Sequence, residues 1–405
     1  DFFGSQINPG FRSVEKEVER ALLLAGGISE MNFGDLSKIS FSRMARTDKG
    51  VHAVSQVLSM KLKFPLDKQE AFVDALNSFL PSDVRAHGLR RVTNSFHAKN
   101  FCSGRMYEYL LPTLLLASPA EFCEWPGAAE FSEKWGTAPN GTSSSSSNNG
   151  SSCVGSGRDF ESVIRDALSS EDMAARLDGC RSMAATYSGW RVSKDVLARF
   201  RAALVRYVGT KRYHNFTRGI DGSQGAAERF ITSFTCSDPH VDADGLEWTC
   251  LTVHGQSFVL NQIRKMVGLA VEVGRGRASL EDMDVCFHKD RLADVPRMPG
   301  LGLFLSNASF ELYNIKVCQQ NANMAKSIAK KSEKGDAAEG TESEEKAEFN
   351  LDTDATLSER ITAYREGSVW PHVVATERAS GHFMLYHAFS RPLQFMEKRE
   401  HNPKS

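Results

Sequence analysis

A short loop at residues 46–53 contains the side chains with the clearest capacity for chemistry. It combines one carboxylate with three cationic or titratable groups, and a carboxylate in such a setting can serve as a nucleophile or a base. Gly50 permits a tight backbone turn, which would present the carboxylate at the rim of a cleft. The same residue types also build ordinary surface turns, so the residues alone leave both interpretations open. The four side chains are Arg46, Asp48, Lys49 and His52.

A strand is expected directly after this loop, because residues 54–64 alternate between apolar and polar side chains. Helices are expected from Ser13 to Gly26, with acidic residues in the first turn, and from Asp67 to Pro81. The side chains expected to be buried in the second helix are Phe72, Val73, Leu76, Phe79 and Leu80. The apolar strand positions are Val54, Leu58, Met60, Leu62 and Phe64, and the polar ones are Ser55, Ser59, Lys61 and Lys63.

Three further places combine charge or aromatic rings with an unusual setting. Tyr107 alternates with Tyr109 in an apolar strand, where aromatic residues mostly belong to the core. Arg264 is a guanidinium within the apolar helix expected to open at Phe258, so it must be paired or reach solvent. Residues 207–217 interleave bases with aromatics, which suits phosphates and nucleobases and equally a surface loop pinned by core aromatics. The candidate substrate-binding residues there are Lys211, Arg212, His214 and Asn215.

The loop at 46–53 resembles the catalytic signature of the TruA-like tRNA pseudouridine synthases, especially their eukaryotic pseudouridine synthase 1 branch. Further segments resemble motifs of the same family, and together the matches cover most of 1–115 and 185–313. The signature residues are Arg46-Thr47-Asp48-Lys49-Gly50-Val51-His52-Ala53. The other matching segments are 77–81, 96–99, 105–109, 207–217, 258–268 and 300–305.

The resemblance implies that uridine in tRNA is isomerised to pseudouridine, with breakage of the N1–C1′ bond, rotation of the uracil and bonding of C5 to C1′. It implies that no cofactor is consumed. The sequence itself shows no signature for a metal or a nucleotide, because it has no P-loop, no HExxH motif and no closely spaced cysteines. Asp48 takes the catalytic role, and the sequence leaves open whether it attacks C1′, adds to the ring or abstracts a sugar proton. Tyr107 would stack on the base, Arg46 would hold the nucleotide flipped out, and Arg264 would pair with and ionise Asp48.

Strand and helix units with hairpin-like returns indicate an α+β fold with mainly antiparallel sheets. The resemblance implies two RNA-recognition-like α/β units that meet at a basic central cleft. The first strand, and any targeting peptide, are expected to begin before Asp1. The expected parts are an N-terminal catalytic domain at 1–116, a disordered Ser/Asn/Gly-rich linker insertion at 117–157, a C-terminal α/β domain at 158–317, an acidic low-complexity loop at 318–360 and an ordered C-terminal extension at 361–405.

The net charge of the 405-residue chain is −1, but it is unevenly distributed. Residues 332–354 hold nine acidic and two basic residues, which leaves a net charge of +6 on the remainder. A mildly basic body is compatible with a tRNA substrate, and also with proteins that bind no nucleic acid. The eight cysteines are scattered without a CxxC pair, which favours reduced intracellular thiols over a metal site.

No apolar run approaches the ~20 residues that span a bilayer, so no membrane association is expected. The resemblance implies the nucleus as the location, with the mitochondrion or cytoplasm as alternatives, and the chain is compatible with a monomer or a homodimer. Two other functions stay open. One is a catalytically inactive RNA-binding or RNA-chaperone protein on the same fold, and the other is a hydrolytic nucleoside enzyme, which would need a water-activating partner or metal.

Overall fold

The computed structural model describes residues 6–7, 10, 12–47, 50–64, 68–126, 173–333 and 355–396. The α-helices are α1 Val14–Leu24, α2 Gln69–Phe79, α3 Ala98–Phe101, α4 Pro119–Glu124, α5 Met173–Thr186, α6 Lys194–Val205, α7 Gln262–Gly274, α8 Leu280–Val285, α9 Glu311–Glu333, α10 Ala355–Tyr364, α11 Trp370–Ser380 and α12 His382–Phe389. The strands are β1 Ser42–Arg43, β2 His52–Ala53, β3 Leu58–Ser59, β4 Gly104–Pro112, β5 Gly209–Arg212, β6 Glu228–Cys236, β7 His240–Val241, β8 Glu247–Gly255, β9 Leu292–Asp294, β10 Leu303–Ser309 and β11 Gln394–Met396.

The chain divides into two compact units, each built from separate segments. Unit 1 combines Asp1–Met106 with Phe304–Val369, and unit 2 combines Tyr107–Leu303 with Trp370–Ser405. The expected consecutive domains, 1–116 and 158–317, therefore differ from the observed units, because the chain after residue 303 contributes to both. The fold is α+β, as the sequence predicts.

In unit 1 the helices α1 and α2 bury their apolar faces against each other, with Leu22 and Leu76 in the shared core. The ring of Phe64 stacks on that of Phe72 with centroids 4.9 Å apart. Both helices were expected from the sequence and are confirmed. The expected burial of Phe79 is wrong: its side chain is 37% exposed, because α2 ends at this residue and Leu80 occupies the core position.

The expected continuous strand over 54–64 is wrong. In the described residues 54–64 the strand is limited to β3, which is antiparallel to β1, while β2 lies just before this range and is parallel to β10. Ser55 and Ser59, expected on the polar face, are buried, and the Ser59 hydroxyl accepts a hydrogen bond from the Ala98 amide at 3.1 Å. The buried Ser59 hydroxyl thus contacts the chain at Ala98, a contact that the alternation of residue types does not reveal.

Unit 2 is built on a sheet with the strand order β4-β8-β6-β5, and β7 pairs with the first two residues of β8. The pairs β5–β6 and β6–β8 are antiparallel, so the expected pairing of the strands near 229–231 and 246–253 is confirmed. Helices α6 and α7 pack together in this unit. The buried Tyr207 hydroxyl donates to the Met266 carbonyl of α7 at 2.8 Å, and the Tyr213 hydroxyl donates to the Tyr207 carbonyl at 2.9 Å.

Helix α7 begins at Gln262, four residues later than expected. Asn261 has the left-handed conformation (φ 62°), so the chain from Phe258 enters the helix through a turn. The Gln262 side chain accepts from the Val259 amide at 2.9 Å and stabilises that turn. Further along α7, Gly268 allows close approach of the chain, because a Cβ there would overlap the Pro296 carbonyl.

The expected acidic loop is wrong at both ends, since α9 extends through Glu333 and α10 begins at Ala355. Residues 334–354 lie outside the described residues. The expected linker insertion begins instead with helix α4, capped by Ser118 and Glu121, and the part of the insertion at 127–157 lies outside the described residues. In the C-terminal extension, α11 and α12 are helical. Among the helices that the structure describes, none has the length and apolar character required to cross a membrane.

Candidate active site and nucleic-acid interface

The loop that carries the signature is anchored on both sides within unit 1. The Met44 amide donates to the Val57 carbonyl at 2.9 Å. The Gln56 side chain binds both backbone groups of Ala45, accepting from its amide at 3.3 Å and donating to its carbonyl at 2.8 Å. Gly50 has φ 77°, a conformation that a side chain would strain. Asp48 and Lys49 lie outside the described residues, so their expected roles stay predictions.

The described site residues of this loop differ in exposure. Arg46 is exposed, whereas His52 is half-buried in β2 beside Phe304 of β10. Below the loop, Arg43 forms an ion pair with the buried Glu15 at 2.6 Å. Burial raises the pKa of Glu15, while the guanidiniums of Arg43 and Arg46 oppose that rise. Among the cations of this loop that the structure describes, Arg46 is exposed to solvent, and its expected contact with the substrate stays a prediction.

Tyr107 lies on β4 and is buried, with 8% of its surface exposed. Its ring meets the ring of Phe258 edge-on, with centroids 5.3 Å apart and an interplanar angle of 83°. Phe258 belongs to the turn before α7, so this contact places the tyrosine next to the N-terminal end of that helix. The packing satisfies the core interpretation of Tyr107, and its stacking on a substrate base stays a prediction.

Arg264 is half-buried in the first turn of α7, and its hydrogen bonds explain how a guanidinium is tolerated there. Its Nε donates to the Met298 carbonyl at 2.7 Å, and a terminal nitrogen donates to Asn261 Oδ1 at 3.4 Å. These bonds fix the plane of the guanidinium. The charge also acts on the buried Tyr109: burial raises the pKa of Tyr109 and Arg264 opposes that rise. The expected pairing with Asp48 stays a prediction.

Lys211 and Arg212 lie on β5 and make different contacts. The Lys211 ammonium lies 5.1 Å from the centroid of the Phe287 ring, a cation–π contact. Arg212 donates to the Gly222 carbonyl at 2.8 Å and pairs with Glu228 at 3.4 Å. Arg212 therefore holds the turn before β6, and the structure leaves the expected role of Lys211 in phosphate binding as a prediction.

His214 and Asn215 are both buried, each with 5% exposed surface, and their side chains face the interior of unit 2. The Asn215 amide donates to the carbonyls of Cys286 and Arg291 at 2.8 and 3.0 Å, and its oxygen accepts from the Ala293 amide at 3.0 Å. His214 Nε2 lies 2.9 Å from the Arg291 carbonyl. These contacts attach the loop to β9. Direct binding of substrate by His214 and Asn215 stays a prediction, while their described contacts are structural.

Two contributors to these sites were missed by sequence reasoning. Gln56 supports the signature loop, and no motif marks a lone glutamine as a backbone partner. Lys265 is partly buried next to Arg264, and its ammonium donates to the Asn215 carbonyl at 3.0 Å. Burial lowers the pKa of Lys265, the Asp294 carboxylate raises it, and the guanidiniums of Arg218 and Arg297 lower it. The signal for Lys265 was its place within a largely apolar helix.

Comparison with known proteins gives the class of protein to which this fold and these residues belong. Residues 203–311, which include the loop at 207–217, α7 and β10, match a family model described as tRNA pseudouridine synthase. The Kluyveromyces lactis tRNA pseudouridine synthase 1 is 34% identical over 340 residues, which cover 78% of this chain and 59% of that protein. The Mus musculus pseudouridylate synthase 1 homolog is 31% identical over 381 residues, covering 93% of this chain and 68% of the relative.

The chain therefore belongs to the tRNA pseudouridine synthase family, which confirms the resemblance seen in the sequence. The tRNA pseudouridine synthase 1 of Saccharomyces cerevisiae is 33% identical over 347 residues, covering 78% of this chain and 60% of that protein. The chain thus spans about three fifths of the length of these fungal relatives.

Proposed function

We propose that the protein isomerises uridines in tRNA to pseudouridine and that Asp48 is the catalytic group. The observation that carries this proposal is the complete signature around Asp48, on a loop held by Gln56, in a member of this family. A loop whose two ends are hydrogen-bonded to each other can hold a carboxylate in one position relative to the substrate, which is what catalysis requires.

The chemistry requires that the N1–C1′ bond of uridine breaks, that the uracil turns, and that C5 bonds to C1′. The C5 proton leaves and N1 gains a proton, so the product has the composition of the substrate. In the proposal Asp48 attacks the nucleotide or removes a proton from it, and the Tyr107 ring stacks on the base. Arg46 holds the flipped nucleotide, and Arg264 keeps Asp48 ionised and oriented.

The proposal extends to the path of the RNA. Two RNA-recognition-like units border a basic cleft, in which phosphates meet Arg46 and Lys211. Two observations support this path. Arg46 is exposed, and the partly exposed Lys211 on β5 has its ammonium positioned over the Phe287 ring. Contacts of this kind supply affinity without reading sequence, so they are independent of which uridines are modified.

Release of tritium from tRNA that contains 5-tritiated uridine tests the proposed function. Each turnover replaces the C5 proton, so the labelled tRNA is expected to lose one tritium for each pseudouridine formed. A protein that only binds RNA would retain the tRNA and release no label. A hydrolytic nucleoside enzyme would liberate uracil that still carries the tritium, so either result would contradict the isomerase assignment.

Replacing Lys211 by Met is expected to weaken tRNA binding and its dependence on salt. Methionine keeps apolar contact with Phe287 but removes the charge, so the slope of log affinity against log salt should fall by about 0.9 if one phosphate contact is lost. The matched control is Arg206→Met, since Arg206 is an exposed cation in unit 2 that pairs with Asp284 at 3.0 Å. Equal slopes for the two variants, measured by titration at several salt concentrations, would exclude a phosphate contact by Lys211.

A further inference from the structure

Unit 2 contains a cavity of about 360 Å³ with a strongly basic wall. Its lining includes four cationic side chains and one carboxylate, with Asn261 of the turn before α7 close by. Three of the cations are exposed at the rim, so the cavity can receive an anionic group that is part of a larger molecule. The four cations are Arg218, Lys265, Arg297 and Arg391, and the carboxylate is Asp294.

The walls of the cavity are held by contacts distant in sequence. Strand β9 pairs with β11, with Asp294 opposite Gln394, so the chain around Arg391 is fixed to the segment that leads to Arg297. Because Gly268 has no side chain, the Pro296 carbonyl can approach α7 closely. The hydroxyl of Tyr386 in α12 also lies next to Gly268. The C-terminal segment therefore completes the cavity by supplying Tyr386, Ser390 and Arg391.

The charge of the cavity is unbalanced. Lys265, the least exposed of the four cations, donates to the Asn215 carbonyl. Asp294 is the one carboxylate among the charged side chains that line the cavity. Burial lowers the pKa of Lys265, and the guanidiniums of Arg218 and Arg297 outnumber the carboxylate that raises it. Like charges gathered around a partly buried ammonium repel one another, and an anion in the cavity would relieve that repulsion.

Two hydroxyl groups in the wall have hydrogen-bonding capacity to spare. The hydroxyl oxygens of Tyr386 and Ser390 are buried next to each other. Apart from this neighbour, neither hydroxyl has a hydrogen-bond partner among the groups that the structure describes. Burial raises the pKa of Tyr386, with Glu272 raising it further and Arg275 and Arg277 opposing, so the phenol remains a hydrogen-bond donor at neutral pH. Buried hydroxyls normally find a partner, and an oxyanion is a good acceptor for both.

We propose that this cavity is a phosphate-binding pocket that receives one backbone phosphate of the RNA substrate. The identity of the phosphate as part of RNA rests on the proposed function, whereas the pocket rests on its own geometry. Its position supports the RNA assignment: Lys265 is bonded to Asn215, in the loop that follows Lys211 and Arg212. The C-terminal segment would thus contribute directly to substrate binding.

The pocket is tested first with inorganic phosphate and the full chain. At constant ionic strength, phosphate is expected to raise the melting temperature of the wild-type protein and to have at least roughly fivefold weaker apparent affinity for the Arg297→Met/Arg391→Met double variant. Both arginines are exposed, so the double variant is expected to fold. The matched control is Arg201→Met/Arg206→Met, which removes two cations of the same unit that pair with Asp238 and Asp284.

Asp294→Asn gives a test of opposite sign, because removing the carboxylate from the wall should strengthen phosphate binding. A tighter phosphate response in Asp294→Asn together with a weaker one in the double variant supports the pocket. If the double variant responds to phosphate as the wild type does, the cavity is not an anion site and the proposal is overturned. Tyr386→Phe, which deletes only a hydroxyl, should weaken the response of the melting temperature to phosphate. A cooperative melting transition would show that this variant is folded.

The RNA assignment is tested with the same variants by tRNA titration at several salt concentrations. Loss of one phosphate contact should lower the salt slope by about 0.9 and raise KM for tRNA, with little change in kcat at saturating tRNA. If the phosphate response is lost but the salt slope and KM equal those of the control, the pocket takes a free anion and the RNA assignment is overturned. A wild type that neither binds tRNA nor releases tritium would refute the proposed function, while the phosphate titration would still decide whether the pocket binds phosphate.

Discussion

Asp48→Asn is expected to lose at least about 99% of turnover while binding tRNA within about tenfold of the wild type, or ~1.4 kcal/mol. Asparagine keeps the size and most of the hydrogen-bonding shape of the side chain, but it removes the negative charge, the nucleophile and the base. Affinity for tRNA rests mainly on phosphates and base stacking, which this change leaves in place. Tritium release, tRNA titration and melting temperature should be measured on one preparation.

The matched control for this change is Asp74→Asn, which removes a carboxylate from the exposed face of α2 in the same unit. It should retain turnover, binding and melting temperature. If Asp48 has only a structural role, Asp48→Asn should melt earlier or bind RNA poorly, and activity should fall only as far as the folded, bound fraction falls. Residual turnover above about one per cent in a folded, RNA-binding Asp48→Asn protein would therefore exclude the catalytic assignment.

Helices were the part of the fold that the sequence predicted best, because their apolar stripes and end signals are local. The region of α2 shows both the success and its limit: Phe72 and Leu76 are buried as expected, but Phe79 is exposed at the end of the helix. The strand after the signature loop was predicted too long, since alternation alone does not reveal that Ser59 is buried and bonded to the Ala98 amide. The composition of the acidic region likewise concealed the helical end at Glu333.

The site could be predicted where its residues are contiguous in sequence and not where distant segments combine. The signature loop and the loop at 207–217 were recognisable as motifs. The bonds of Gln56 to Ala45 and of Lys265 to Asn215 join residues 11 and 50 positions apart, so no local pattern marks them. The burial of Asn215 shows a related limit, because an asparagine beside basic residues suggested substrate binding, whereas its described bonds attach the loop to the chain around Ala293.

Arg264→Met is expected to reduce turnover by about a hundredfold or more while the protein stays folded. Methionine keeps much of the volume on α7 but removes the charge and the Nε bond to the Met298 carbonyl, a hydrogen bond whose loss costs about 1 kcal/mol of stability. In the proposal the guanidinium favours the ionised form of Asp48, so its removal raises the pKa of that carboxyl. The measurements are melting temperature and tritium release as a function of pH.

The pH profile separates a positioning role of Arg264 from a structural one. If Asp48 must be ionised and Arg264→Met raises its pKa, the acid limb of kcat/KM should move to higher pH by roughly one to three units. The matched control is Arg199→Met, because Arg199 donates to the carbonyls of Val273 and Gly274 at the other end of α7. That variant loses comparable bonds and should keep the wild-type acid limb. Full activity in Arg264→Met, or an equal limb in both variants, would rule out the pairing of Arg264 with Asp48.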